Sequence, residues 1–450
     1  MLKSGDKMKY KVGFVSLGCP KNLTDTETMA GILKSGCEIV TNPQKADIII
    51  VNTCGFIESA KQESIDTILE MAQYKTGGNL KKLIVTGCLA QRYAKELRQE
   101  LPEVDAVVGT GSYFEIGEIV EQVMGGAHPV RLGEPNRPVP EGLPRELATP
   151  AYTAYLKIAD GCDNHCTYCI IPKLRGTYHS REMGQIVKEA EQLAARGVRE
   201  LILIAQDTTR YGCDIYGKAR LPELLRALEK VEGVRWIRLH YCYPELVTEE
   251  LIEEIARNQK VCHYIDIPFQ HASDNVLKRM GRRNTRAQSE ALLKALRRAV
   301  PDIVIRSTFI VGFPGETRED FLQLKEFVSN ARLDRLGVFT YSAEEGTPAA
   351  GMPNQIEEAE KLARQREIME LQQKISLEKN QEKIGGVTEV LCEEKTGKTT
   401  FVGRSFGDSP EIDGSVLVHG RGLAAGEFVK VRVRKAAEYD LEGDKIESCE

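Results

Sequence analysis

Residues 10–341 alternate short β-rich runs with amphipathic helical stretches, and this alternation limits the possible folds more than any other feature of the chain. Strand, helix and strand in succession build a parallel sheet whose crossovers cover its faces. Residues 10–125 hold four such runs: KVGFVSLGC (11–19), ADIIIVNTC (46–54), LKKLIVTGC (80–88) and VDAVVGT (104–110). Segments such as TDTETMAGILKSG and SIDTILEMAQYK lie between them. The expectation over residues 1–126 is a Rossmann-like parallel α/β domain.

Residues 127–150 carry six of the eighteen prolines. Proline at that density suits neither helix interiors nor central strands, so the segment reads as a linker. From 151 to 375 the alternation resumes with six runs: AYLKIAD, ELILIAQD, WIRLHY, YIDIPF, VIRSTFIVGF and RLGVFTY. Six β/α units predict a partial (β/α) barrel of the TIM type, with its chemistry at the carboxyl ends of the strands. Residues 376–446 change texture to short strands and Gly-rich turns, which predicts a small antiparallel β-barrel.

Apolar residues make up 42% of the chain and charged residues 28%, ordinary values for a globular protein. No window approaches the roughly 20 apolar residues of a membrane span. The N-terminus starts basic, but its apolar run is short and continues into a strand, so no signal peptide is expected. These features predict a cytoplasmic protein that does not engage membranes. The net charge of −5 supplies no global basic field for nucleic acid.

Twelve cysteines are too many to ignore in a chain that needs no disulfide staples. Cys162, Cys166 and Cys169 crowd into DGCDNHCTYC, directly after the first barrel strand. Three soft thiolates suit an iron–sulfur cube and leave one iron open to chelate a small molecule. Zinc is the alternative, but its motifs pair C-x₂₋₄-C with a second pair, and none is nearby. Incidental structural cysteines are the other. His165, inside the loop, reads as a loop polar residue and not a ligand. Cys19, Cys54 and Cys88 are distant in sequence, yet each ends one of the first three strand runs. Parallel strands bring their carboxyl ends to one edge of the sheet, so neighbouring strands make the three thiols converge. Cys37, Cys213, Cys242, Cys262, Cys392 and Cys449 show no grouping and read as structural.

The C-x₃-C-x₂-C loop on the first strand of a β/α barrel resembles the radical S-adenosylmethionine (SAM) superfamily. With Cys19, Cys54 and Cys88 added, and a TRAM-type β-domain at the end, the whole chain resembles the methylthiotransferase family. The resemblance implies two [4Fe–4S] clusters, one on Cys162, Cys166 and Cys169 and an auxiliary one on Cys19, Cys54 and Cys88. It implies SAM as both radical source and methyl donor. Tyr168 matches an aromatic usual in that loop. FIVGFPGET (309–317) matches a segment beside the SAM adenine, where Gly312 and Gly315 would let backbone approach the ligand. Arg175 and Arg181 in RGTYHSR read as cations near a carboxylate-bearing cofactor. No side-chain acid–base group is expected to carry the reaction, because an unactivated C–H bond offers no acidic proton.

Members of the family modify an adenosine in transfer RNA or an aspartate in a ribosomal protein. Residues 381–450 contain ten Lys/Arg and fourteen Asp/Glu, a net charge of −4. A module that neutralises phosphates should be basic. This excess, with Asp408, Glu411 and Asp413 together, predicts contact with a basic protein. RSFGDSPEIDG, DGCDNHCTYCIIPKLRG and DIPFQHASDNVLKRM resemble the ribosomal-protein branch, whose target is the β-carbon of an aspartate in the twelfth protein of the small subunit. The competing readings are a transfer-RNA enzyme, favoured by KVRVRK (430–435), and a non-enzymatic iron–sulfur electron carrier. The expected partners are therefore a small-subunit ribosomal protein, an electron donor and a sulfur source, with nucleic acid not the main substrate. A monomer is expected.

Overall fold

Parallel strands present all their carboxyl ends on one edge, and the chain builds two parallel sheets whose functional edges meet. The computed structural model describes residues 10–446; Cys449 lies outside them. The first sheet has six strands in the order Glu38–Val40, Lys11–Ser16, Ile48–Thr53, Lys82–Gly87, Ala106–Val108 and Val130–Arg131. Every neighbouring pair is parallel. Ile48, Ile49, Ile50 and Val51 form an unbroken apolar run and are fully buried, because helices cover both faces of the sheet. The last strand lies beyond residue 126, so the sheet reaches into the expected linker. Its short edge position tolerates Pro129, which loses no ladder donor there and accepts through its carbonyl from Val107 N–H (3.1 Å). The remaining proline-rich residues form a strap. Glu146 N–H bonds Glu27 O (2.9 Å), Arg145 pairs with Glu27 and Glu189, and Thr177 N–H bonds Asn136 Oδ1 (2.6 Å).

The second sheet runs Arg335–Thr340, Val304–Val311, Val261–Asp266, Trp236–Leu239, Glu200–Ile204 and Thr153–Lys157, again with every pair parallel. These are the six runs read from the sequence. Leu201, Leu203, Ile237, Leu239, Ile265 and Ile305 alternate onto one face and pack with helix residues such as Leu224, Leu251 and Ile255. The intervening residues, Tyr155, Ile202, Arg238, His240, Tyr264 and Arg306, line the other face of an open (β/α) barrel. The helix Glu358–Gln381 passes without a break through the expected boundary at 375 and packs against Arg335–Thr340.

The C-terminal unit is a closed five-stranded barrel of Val387–Lys395, Thr400–Ser405, Val416–His419, Leu441–Lys445 and Phe428–Ala436. An odd number of strands cannot alternate direction all the way round. One pair, Val416–His419 with Leu441–Lys445, is accordingly parallel and the other four are antiparallel. In KVRVRK, Val431 and Val433 enter the barrel core while Lys430, Arg432, Arg434 and Lys435 face solvent.

This barrel seals the open end of the (β/α) unit. Trp236 meets Phe428 edge-on (4.7 Å) and packs with Tyr264, Leu391 and Phe406. Glu200 is fully buried between Arg238 (2.9 Å) and Arg404 (2.6 Å). The acidic stretch at 408–413 also turns inward, which corrects the reading of it as a protein-docking patch. Asp408 is buried against Arg335 (2.6 Å), and Asp413 accepts from Tyr264 Oη (2.8 Å) and lies 3.4 Å from Arg306. Ser409 Oγ meets His240 Nε2 (2.8 Å). Of the three acids only Glu411 is exposed. A charge count treats buried and exposed carboxylates alike; burial in ion pairs accounts for two of these three.

Candidate functional site

The first cysteine loop begins where strand Thr153–Lys157 ends, beyond a short pairing of Ala159–Asp160 with His179–Ser180. Gly161 turns the chain at φ 74°, with Thr177 O occupying the space of a Cβ. Cys162 N–H then bonds Gly176 O (3.1 Å), and Cys169 N–H bonds Cys166 O (3.0 Å). Thr167 fixes the middle of the loop through Met280 O and Arg279 O. Cys162 and Cys166 are buried, and Cys166 Sγ lies 3.1 Å from Tyr243 Oη. Burial, followed by the neighbouring thiols, pushes Cys162 up to about 11 and Cys169 higher. Thiols held so keep their protons unless a cationic centre lies beside them, and an iron cluster would be one. His165 is exposed, at φ 51°.

Cys19, Cys54 and Cys88 follow three adjacent strands of the first sheet, as strand alternation implied. Cys19 caps the helix Pro20–Lys34, Cys54 follows Thr53, and Cys88 opens the helix Cys88–Arg92. Gly18 and Gly87 precede two of them at φ 84° and 95°. A Cβ on Gly18 would sit 2.7 Å from Cys54 Cβ, so these residues approach as closely as backbone permits. Asn22 staples two strand ends by donating to Leu17 O and Thr53 O (both 3.0 Å), and its Oδ1 lies 3.7 Å from Cys88 Sγ. Burial pushes Cys88 up to about 12. At Cys19 burial acts the same way, yet Lys21 and Arg175 bring that thiol below its ordinary value.

The two cysteine sets adjoin. Ile170 and Leu174, just past Cys169, pack directly on Cys88 with Phe56 against them. Arg175 ends the same short helix, Ile171–Arg175, and reaches the second set, not its own loop. It donates to Asn22 Oδ1 (2.6 Å) and pairs with Asp25 (2.9 Å) and Asp160 (3.0 Å). Lys157 pairs with the same two carboxylates, so the four buried charges balance. Arg175 therefore serves the second set, and Arg181 serves neither. Arg181 is engaged by Glu141 and Glu189 (both 2.6 Å) under the proline-rich strap.

Beside the first loop lies a cavity of about 780 Å³ lined by Tyr168, Gln270, Thr308, Ile310, Tyr341 and Lys361 among others. Tyr168 meets Phe313 edge-on (6.4 Å). Two of the lining groups, Gln270 Oε1 and Tyr341 Oη, are buried without a hydrogen-bond partner. Orphaned polar atoms on a cavity wall suit a ligand that brings its own donors and acceptors. Gln270 is also held at φ 72°, a strain placed at the end of a strand. Gly312 and Gly315 differ from expectation. Both have positive φ (73° and 75°), but protein fills the space a Cβ would need: Lys361 for Gly312 and the Arg279 guanidinium for Gly315. Their freedom serves packing, while Glu316 Oε2 accepts the Gly312 and Phe313 N–H groups (2.6 and 3.0 Å).

Sequence reasoning missed Lys21, Asn22, Tyr241, Tyr243 and Arg282. The Arg282 guanidinium lies 4.1 Å from the centre of the Tyr243 ring, which contacts Cys166. Lys21 and Asn22 stand just past the run KVGFVSLGC, in the continuation CPKN, which is the one local signal for them.

Three family profiles match in order: the uncharacterized protein family UPF0004 over residues 11–109, the radical SAM superfamily over 156–328 and the TRAM domain over 384–446. A ribosomal protein uS12 methylthiotransferase RimO of Clostridium perfringens is 54% identical over 444 residues, covering 98% of this chain and 99% of that protein. The chain belongs to the RimO family. RimO proteins of Clostridioides difficile (53% identical, 97% of this chain and 99% of that protein) and Pelotomaculum thermopropionicum (52%, 98% and 100%) agree. Among solved structures, the radical SAM methyltransferase TsrM of Kitasatospora setae superposes with a TM-score of 0.57 at 16% identity, covering 76% of this chain and 77% of that chain. At that identity the likeness speaks for the fold alone. Among the described residues no helix is long and apolar enough to cross a membrane.

Proposed function

We propose that this protein methylthiolates ribosomal protein uS12 at the β-carbon of an aspartate, as a radical SAM enzyme. The observation that carries the reading is the meeting of the two three-cysteine sets at Cys88 and Ile170, in a chain 52–54% identical to RimO proteins over nearly its full length. Cys162, Cys166 and Cys169 would hold one [4Fe–4S] cluster, and Cys19, Cys54 and Cys88 a second. When bound, these groups with SAM supply the radical and sulfur chemistry that an unactivated C–H bond requires.

The chain's own residues orient and enclose. Tyr243 supports Cys166, Asn22 and Arg175 support Cys88, and Tyr168, Gln270 and Tyr341 offer the cavity surface for SAM. The C-terminal barrel closes the lower end of the (β/α) unit and keeps water from that side. An electron carrier closes its clusters with four protein ligands, and sets of three serve it poorly. The transfer-RNA reading has less support still, since on the basic strand Phe428–Ala436 Arg434 and Lys435 are already paired with Asp444 and Glu442.

The test is product analysis. Anaerobically reconstituted protein receives SAM, reductant, sulfide, uS12 and bulk transfer RNA in one reaction, followed by mass spectrometry of both macromolecules. A methylthio increment on one uS12 aspartate is expected; an increment on adenosine alone refutes the substrate assignment. Replacing Cys162, Cys166 and Cys169 together by alanine should leave half the iron, and so should replacing Cys19, Cys54 and Cys88. Loss of all iron in one triple variant and none in the other refutes the two-cluster count.

A further inference from the structure

The segment 342–349, just past the last barrel strand, is bonded to both cysteine sets. It starts on the cavity wall, to which Tyr341, Ser342 and Glu344 contribute. On the side of the first set, Ala349 N–H donates to Thr167 O (2.9 Å), inside the C-x₃-C-x₂-C loop. Lys173, on the short helix after Cys169, donates to Gly346 O (2.7 Å). On the side of the second set, Arg92 donates to Glu344 Oε2 (2.9 Å) and to Glu345 O (2.7 Å). Arg92 ends the helix that Cys88 opens, and its guanidinium also donates to Gly55 O (2.9 Å), one residue past Cys54. Lys61 places a second cation 3.3 Å from Glu344.

The side chains of Arg92 and Glu344 are both buried. A buried ion pair is a poor source of stability, because desolvation cancels most of its attraction; its better use is to fix register. A guanidinium suits that use, since its donors leave a rigid plane in set directions. Here they reach the segment twice and the end of strand Ile48–Thr53 once. Packing of Ile170 and Leu174 on Cys88 also draws the two sets together. Apolar attraction is non-directional, however, and leaves the packed surfaces free to slide. The bonds at Arg92 remove that freedom: the second set cannot shift against the first without breaking them.

We propose that Arg92, through Glu344, is a positioning residue that sets the spacing of the two cysteine sets, and that this spacing decides how much of the SAM cleaved ends in methylthiolated product. This rests on the two-cluster reading above and adds the residues that keep its two halves in register. Arg92 does not line the cavity, so its loss should leave SAM binding and cleavage in place. What suffers is the step that needs both sets at once, because groups displaced by about 1 Å can lose a hundred-fold in rate.

The experiment compares the reconstituted parent with Arg92→Met, Glu344→Gln and the double variant at matched iron content. Arg92→Met should fold, because Lys61 stays beside Glu344, and in Glu344→Gln Lys61 keeps Glu58 (2.5 Å). Two quantities are read: uS12 methylthiolated per SAM cleaved, and hydrogen exchange of the backbone at residues 345–349. Each single variant should exchange faster there and give roughly ten- to a hundred-fold less product per SAM cleaved, with SAM cleavage itself retained. The double variant should be no worse than either single one, because the two residues act as a unit. If exchange is unchanged in Arg92→Met, other contacts hold the segment and the proposal is wrong. If exchange quickens while product per SAM stays at the parent's value, spacing does not govern coupling and the proposal is again wrong. If SAM cleavage and product fall in parallel, the pair supports the cavity alone; the proposal is then wrong and the two-cluster reading stands. If the parent itself leaves uS12 unmodified, the proposal and the substrate reading fall together.

Discussion

At the scale of single residues, the glycine–cysteine pairs show how closely the backbone limits this site. Gly87 sits at φ 95° immediately before Cys88, and a Cβ there would lie 2.5 Å from Thr53 O and against the Asn52 side chain. Neither neighbour can yield, since both belong to a fully buried central strand. Gly87→Ala should therefore cost roughly 1–3 kcal/mol in backbone strain alone, with the overlap added to it. Relief of the overlap would move Cys88. Iron bound to Cys19, Cys54 and Cys88 should be lost while that on the C-x₃-C-x₂-C loop is retained, so iron per chain falls by about half. Retention of full iron with unchanged stability would show that the strand end adjusts freely. Gly312 makes the contrasting case. It has a similar φ, yet the space a Cβ would take there holds the Lys361 side chain, so a glycine in a familiar motif did not by itself reveal what comes close to it.

At the scale of elements, the joint between the C-terminal barrel and the (β/α) unit includes one fully buried carboxylate. Glu200 lies between Arg238 and Arg404, with burial opposing its charge and the two guanidinium groups holding its carboxyl down at about 2. Arg404→Met would leave that carboxylate with one partner, and removal of one member from a buried pair costs about 3–5 kcal/mol. The expected result is early proteolysis near residues 382–387, ahead of global unfolding; a variant as resistant as the parent would place the attachment elsewhere. Elements of this kind were unevenly legible in the sequence. Strand–helix alternation located all six barrel strands and, in the first sheet, the convergence of Cys19, Cys54 and Cys88, because a parallel sheet leaves no choice about where strand ends go. The inward turn of Asp408 and Asp413 was not legible, since composition carries no information on burial. Asn22 and Lys21 escaped, and Arg175 was assigned to a cofactor carboxylate, for another reason. Each acts across the interface between two units, on a partner more than sixty residues away or in the other sheet, and no local period records such a meeting.

At the scale of the whole molecule, the same interface predicts how the protein responds to acid. His240 is fully buried, and burial pushes it down to about 3, with Arg238 and Arg306 adding to the effect and Asp266 opposing it. His271, also buried, is pushed down to about 3. The unfolded chain binds protons on both imidazoles near pH 6.5, whereas the folded chain does so only near 3. Unfolded molecules hold more protons throughout that interval, so stability is complete above about pH 6.5 and falls steadily as the pH is lowered toward 3. Glu200 adds a later stage. Its folded value is depressed, so its contribution is complete above about pH 4.5 and is lost as the pH falls toward 2. Denaturant midpoints between pH 7.5 and 4.5 should therefore decline before the Glu200 carboxylate is protonated. His240 Nε2 contacts Ser409 Oγ, so part of that early decline belongs to the joint between the (β/α) unit and the C-terminal barrel. His240→Gln keeps a polar contact to Ser409 but cannot titrate. It should flatten the decline from pH 6.5 down to about 3, with His271 supplying the remainder. Glu200→Gln should alter only the part of the decline below about pH 4.5. If His240→Gln follows the parent at every pH, the imidazole is already accommodated as a cation, and the joint between the two units is not where acid first acts.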